Sequence, residues 1–95
     1  MKPIRVLISD DHPMIIEGLT STLKRDGVQR VGQAMRTAEV VPEFEKCHPD
    51  VVVIDIRYGE ERSGFDVARE LLTRHPEARI VFYSQFEQDD LIKEA

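Results

Sequence analysis

A chain of 95 residues holds one small domain, and 41% hydrophobic residues supply a single modest core, which excludes a disordered coil. The net charge of −5, from 13 basic and 18 acidic residues, argues against a nucleic-acid or anionic-membrane surface, because both need clustered Lys and Arg. No apolar run approaches a membrane span, Met1 to Arg5 lead into no cleavage pattern, and Cys47 has no disulfide partner, which together fit a reducing, cytoplasmic setting.

In chain order, Ile4 to Ile8 is a short apolar run that stops at Ser9-Asp10-Asp11 and reads as a buried strand. Pro13 suits a first helical position. Met14, Ile15, Leu19 and Leu23 then recur at near-helical spacing, giving a helix to about Arg25 that Asp26-Gly27 ends. Val28 to Met35 is a weaker strand interrupted by Gly32. Thr37 is expected to cap a second helix, with Glu39 in its first turn and Ala38, Val41, Phe44 and Cys47 on its buried face; His48-Pro49-Asp50 is a turn. Val51 to Ile54 is the strongest strand signal. Its four β-branched residues without alternation imply burial on both faces, and it ends at Asp55.

A loop follows from Ile56 to Arg62. Ser63-Gly64-Phe65-Asp66 matches a capping box, opening a third helix with Val67, Ala68, Leu71 and Leu72 as candidate buried positions. His75-Pro76 ends that helix. Arg79 to Tyr83 is a fourth strand ending at Ser84, and Glu87 to Ala95 begins a fourth helix. Strand-helix alternation throughout predicts an α/β fold, a doubly wound parallel sheet with right-handed crossovers. Sites in such sheets lie outside the carboxyl ends of the strands, where Asp10, Asp11, Asp55 and Ser84 all fall.

Taken singly, each of these residues has a plain structural role. Asp11 is a helix cap, Asp10 a turn residue, Asp55 a strand terminus and Ser84 a turn hydroxyl. Jointly they place three carboxylates at one sheet edge, where mutual repulsion would protonate one of them unless a cation intervened. Magnesium suits such a site, since it takes a few carboxylates plus water and phosphate oxygens. A carboxylate can also attack phosphorus, and Asp55, fixed by the most buried strand, is the nucleophile candidate. Asp10 and Asp11 would then hold the metal, while Ser84 donates to an equatorial phosphoryl oxygen. Cys47, His12, His48 and His75 have no zinc spacing, His12 reads as a helix-start residue, and Met14 and Met35 read as core.

Ile4 to Pro13, Val51 to Asp55 and Ile80 to Ser84 together resemble the receiver (CheY-like, flavodoxin-like) domain of bacterial two-component response regulators. Asp10-Asp11-His12-Pro13 is most similar to the subfamily carrying a LuxR-type helix-turn-helix output domain. The resemblance spans the whole chain. It implies that Asp55 accepts a phosphoryl group from a sensor histidine kinase, that Asp10, Asp11, Asp55 and the backbone carbonyl of Arg57 bind magnesium, and that Ser84 moves toward the phosphoryl group on switching. It also implies an output domain outside this chain, and a phosphoacceptor rather than an enzyme.

Three departures stand out. The loop from Ile56 to Gly64 lacks the family's Pro-Gly turn and is one residue longer, which is expected to alter the surroundings of the Arg57 carbonyl. Gln85 replaces a smaller residue and would narrow access to Asp55. The family's fifth strand, fifth helix and phosphoryl-pairing lysine have no counterpart, and Lys93, late in the fourth helix, is no substitute; the expectation is a truncated domain over 1–95 with strand order 2-1-3-4. Its fourth strand would form an open edge, favouring self-association or element swapping. Two other functions are weighed: a receiver-like interaction module that is never phosphorylated, and a magnesium-dependent aspartyl phosphatase. The acidic pair and Ser84 disfavour the first; the lack of Asp-x-Asp at either strand end disfavours the second.

Overall fold

The computed structural model describes residues 3–57 and 62–83. Four parallel strands run β1 Ile4–Ser9, β2 Val28–Ala34, β3 Val51–Asp55 and β4 Ile80–Tyr83, in the spatial order β2-β1-β3-β4. Helices α1 Pro13–Arg25, α2 Val40–Cys47 and α3 Gly64–Arg74 connect them, with a 3-10 turn over Thr37–Glu39 leading into α2. The order 2-1-3-4 matches the expectation from sequence.

Alternation along β1 divides the core in two. Leu7 points to one face, with Val52 and Ile54 of β3, and packs against Val40, Val41 and Phe44 of α2 and Val67, Ala68 and Leu71 of α3. Val6 and Ile8 point to the other face and pack against Ile16 of α1, with Leu19 and Leu23 beside it. A strand covered on both faces has no solvent side to mark with polar residues, which is why β1 and β3 read as unbroken apolar runs.

Three burial expectations need correction. Met14 is 85% exposed, because Ile16 sets the inward face of α1 and a residue two positions earlier lies about 200° round the helix. Leu72 is exposed for the same reason, one position past the fully buried Leu71. Ala38 is exposed, while its neighbours Thr37 and Val40 are buried. Nor does Thr37 cap the second helix: it opens the 3-10 turn, which Arg36 precedes, and Glu39 stands at the N-cap of α2 while its carboxylate reaches back to accept the backbone N–H groups of Met35 at 2.9 Å and Arg36 at 3.0 Å.

Local chemistry fixes the remaining joints. Gly27, at φ 79°, ends α1 in the left-handed region that an L side chain disfavours. Val31 is the extra residue where the β1–β2 register slips between Val6 and Leu7. Arg5 staples the turn before β3: its guanidinium donates to the carbonyls of Cys47 at 2.8 Å and His48 at 2.7 Å, and its backbone N–H donates to Asp50 at 2.8 Å. The expected box at α3 is present, with Ser63 Oγ accepting from the Asp66 N–H at 3.3 Å and Asp66 Oδ2 accepting from the Ser63 N–H at 2.9 Å. Among the described residues β4 pairs on one side only, and Val81 is 53% exposed. No helix among them is long and apolar enough to cross a membrane.

Candidate functional site

Ser9 lies opposite Ile54 in the β1–β3 pair, so the next residues, Asp10 and Asp55, leave the sheet side by side. Asp55 in turn lies opposite Tyr83 of β4. Asp10 and Asp55 are buried, at 0% and 1% exposure, Asp11 is half-buried and His12 exposed. One ligand-capable atom from each of Asp10, Asp11, His12 and Asp55 lies within 4.8 Å of the others. The three predicted carboxylates are therefore brought together, and His12 joins them.

Backbone turns hold these side chains in place. Asp10 Oδ1 accepts the His12 backbone N–H at 2.8 Å, and Asp55 Oδ1 accepts the Arg57 N–H at 3.0 Å, so both acids close turns on themselves. Their turn-forming and strand-ending roles are real and coexist with convergence. Asp11 is not the helix cap: His12 holds the N-cap position before Pro13 and makes no side-chain capping bond. Arg57, two residues beyond Asp55 and just past the bend at Ile56, is exposed.

Two residues not foreseen as part of the site complete it. His12 Nδ1 is hydrogen-bonded to Asp10 Oδ1 at 2.8 Å and lies 2.8 Å from Asp11 Oδ1. The Tyr83 hydroxyl donates to Asp10 Oδ2 from two strands away. The signal for Tyr83 was its position at the end of the strand next to Asp55; what could not be read was that a phenol there spans β3 to reach β1.

Electrostatics follow from this crowding. Burial pushes the Asp55 carboxyl up from its ordinary range; the Arg57 N–H opposes this, and the charges of Asp10 and Asp11 add to it. The bond to Asp10 raises His12, burial works against it, and the nearby carboxylate charges reinforce it. Gly64 closes the site from below. A Cβ there would stand 2.1 Å from the Asp55 backbone oxygen, and the Gly64 N–H donates to the Ile56 carbonyl at 2.9 Å. Ser84, Gln85, Lys93, the fourth helix and loop residues 58–61 lie outside the described residues.

The family model for the response regulator receiver domain matches residues 6–95. The chain belongs to this family. Among curated relatives, the receiver is 37% identical over 87 residues to the response regulator GacA of Pseudomonas viridiflava, covering 90% of this chain and 40% of that one. It is 30% identical over 93 residues to the DNA-binding transcriptional activator DevR/DosR of Mycobacterium tuberculosis, covering 97% and 42%. The receiver thus spans about two fifths of the length of these relatives. A two-component response regulator of the LuxR family from Aurantimonas has the same fold, with TM-score 0.82 and 24% identity over 97% of this chain and 66% of that one.

Proposed function

We propose that this receiver is the phosphoacceptor of a two-component response regulator and that Asp55 takes the phosphoryl group. The convergence of Asp10, Asp11 and Asp55 within 4.8 Å at the carboxyl edge of the sheet carries this reading. An Asp55 oxygen attacks the phosphorus of a phosphohistidine on a sensor histidine kinase; the P–N bond breaks, the donor imidazole regains a proton, and an acyl phosphate remains on Asp55. The protein is itself modified, so it is a signalling acceptor and not an enzyme with a separate substrate.

The residues present fit magnesium. Three carboxylates meet where two of them are buried, and the protonation-favouring environment of Asp55 is what a cation would relieve. Asp10, Asp11, Asp55 and the Arg57 carbonyl would hold the ion, which when bound offsets charge on the transferring phosphoryl group. Asp10 is preset for this by the Tyr83 hydroxyl and the His12 N–H. Ser84 would donate to a phosphoryl oxygen.

Likeness to a DNA-binding transcriptional activator supports a transcriptional output domain, of the LuxR type given Asp10-Asp11-His12-Pro13, in a cytoplasmic protein. The test is incubation with acetyl phosphate and magnesium, followed by intact mass. A phosphate-sized gain is expected, abolished by chelator and by Asp55→Asn. A gain that survives in Asp55→Asn sinks the assignment.

A further inference from the structure

Three side chains leave one face of the sheet in a row. Ile8 of β1 and Val51 of β3 belong to the cluster under α1, whereas Ile80 of β4 packs on the opposite face. Asp10 still donates its N–H to the Ala34 carbonyl of β2 at 2.9 Å, so the alternation of β1 carries on to it. Counting by twos then puts Asp10, Asp55 and Tyr83 all on the α1 side. Asp55 is the middle member. Tyr83 is its partner across β3–β4, and Asp10 follows Ser9, the partner of Ile54 across β1–β3. Neighbouring strands lie about 4.8 Å apart, so β4 and β1 are separated by about 10 Å. The Tyr83 hydroxyl nonetheless donates to Asp10 Oδ2. The phenol and the Asp10 carboxylate together bridge the end of β3, across the position from which the Asp55 side chain projects. Asp55 is 1% exposed, although Asp11 and His12 in the same cluster reach solvent.

Resting on Asp55 as the phosphoacceptor, we propose that Tyr83 is a strap over it. Bonded to Asp10, the phenol shields the acceptor carboxylate; rotation of the ring away from Asp10 opens it to the phosphodonor. One hydrogen bond is a fitting latch, because its net worth is small enough for thermal opening. The ring also has a side to turn to: Tyr83 is half-buried, ends β4, and among the described residues β4 is paired on one side only. A donor reacts only with the open fraction, so the latch slows labelling. A phosphoryl group on Asp55 fills the space that the phenol crosses, so the ring stays out while the label lasts.

The protein has no tryptophan and two tyrosines, so in a Tyr58→Phe background fluorescence reports Tyr83 alone. A phenol bonded to a carboxylate is quenched. After addition of acetyl phosphate and magnesium, emission is expected to rise as intact mass records a phosphate-sized gain, and to fall back as the label hydrolyses. Tyr83→Phe keeps the ring and loses the latch; it is expected to label about threefold or more faster than wild type, the open fraction gained by losing one hydrogen bond. Tyr83→Leu, which loses the reach as well, should label at least as fast. A residue that merely supported the fold would act in the other direction, its removal slowing labelling along with lowered stability. Labelling of Tyr83→Phe no faster than wild type, or emission that stays flat while the mass gain appears, overturns the strap and leaves Asp55 as the acceptor. No gain in wild type, or a gain that persists in Asp55→Asn, overturns the acceptor reading and the strap with it.

Discussion

Asp10 shows how a single buried charge is managed. It is fully buried, and its two oxygens face different elements: Oδ1 toward the His12 N–H and ring, Oδ2 toward the Tyr83 hydroxyl. Removing the phenol hydroxyl leaves that oxygen less satisfied. Tyr83→Phe should therefore cost about 1 kcal/mol in metal-free protein, read as a lower urea midpoint. The deficit should narrow when magnesium is added, because a cation compensates the same charge; a deficit that stays constant would place Tyr83 outside the site. Asp10, Asp11 and Asp55 were legible in the sequence because each follows or ends an apolar run, and strand ends in a parallel sheet share an edge. Tyr83 was not, because its membership depends on side-chain reach across strands, and His12 was not, because the direction of its ring depends on the local turn closed by Asp10, neither of which periodicity encodes.

At the scale of elements, the return from β3 into α3 is the tightest joint. Gly64 sits where a methyl group would collide with the Asp55 carbonyl at 2.1 Å. Gly64→Ala should cost about 3 kcal/mol and depress Asp55 labelling together with stability, as urea titration and intact mass would show. Ser63 and Asp66 complete the same joint with their reciprocal cap. The bond from Ser63 holds the Asp66 carboxyl below its ordinary range. A lowered folded-state pKa means that the cap contributes stability above the carboxyl's ordinary pKa and loses it as pH falls through the folded value. The stability gap between wild type and Asp66→Asn should therefore close below about pH 4 and be constant near neutrality. This cap was readable because the four residues Ser63 to Asp66 are local. The inward face of α1 was misread at Met14 because Ile16, the residue that sets the face, was not counted among the periodic positions.

The molecule as a whole is a sheet with α1 on one face and α2 and α3 on the other, its central strands β1 and β3 ending in the acids. That topology was legible because strand-helix alternation with right-handed crossovers admits few arrangements. The loop after Asp55 was visible in the sequence as a missing Pro-Gly turn, and its residues 58–61 lie outside the described residues. Magnesium at a hundredfold excess over its dissociation constant should raise the stability of the whole fold by about 2.7 kcal/mol, seen as a higher melting temperature that chelator reverses. Asp11→Asn should show little of this response. The acceptor role itself is tested by reductive trapping. After incubation with acetyl phosphate and magnesium, borohydride converts an aspartyl phosphate to homoserine, and peptide mapping locates it. Homoserine is predicted at position 55 and nowhere else; homoserine at Asp10 or Asp11, or none at all, would contradict Asp55 as the phosphoacceptor.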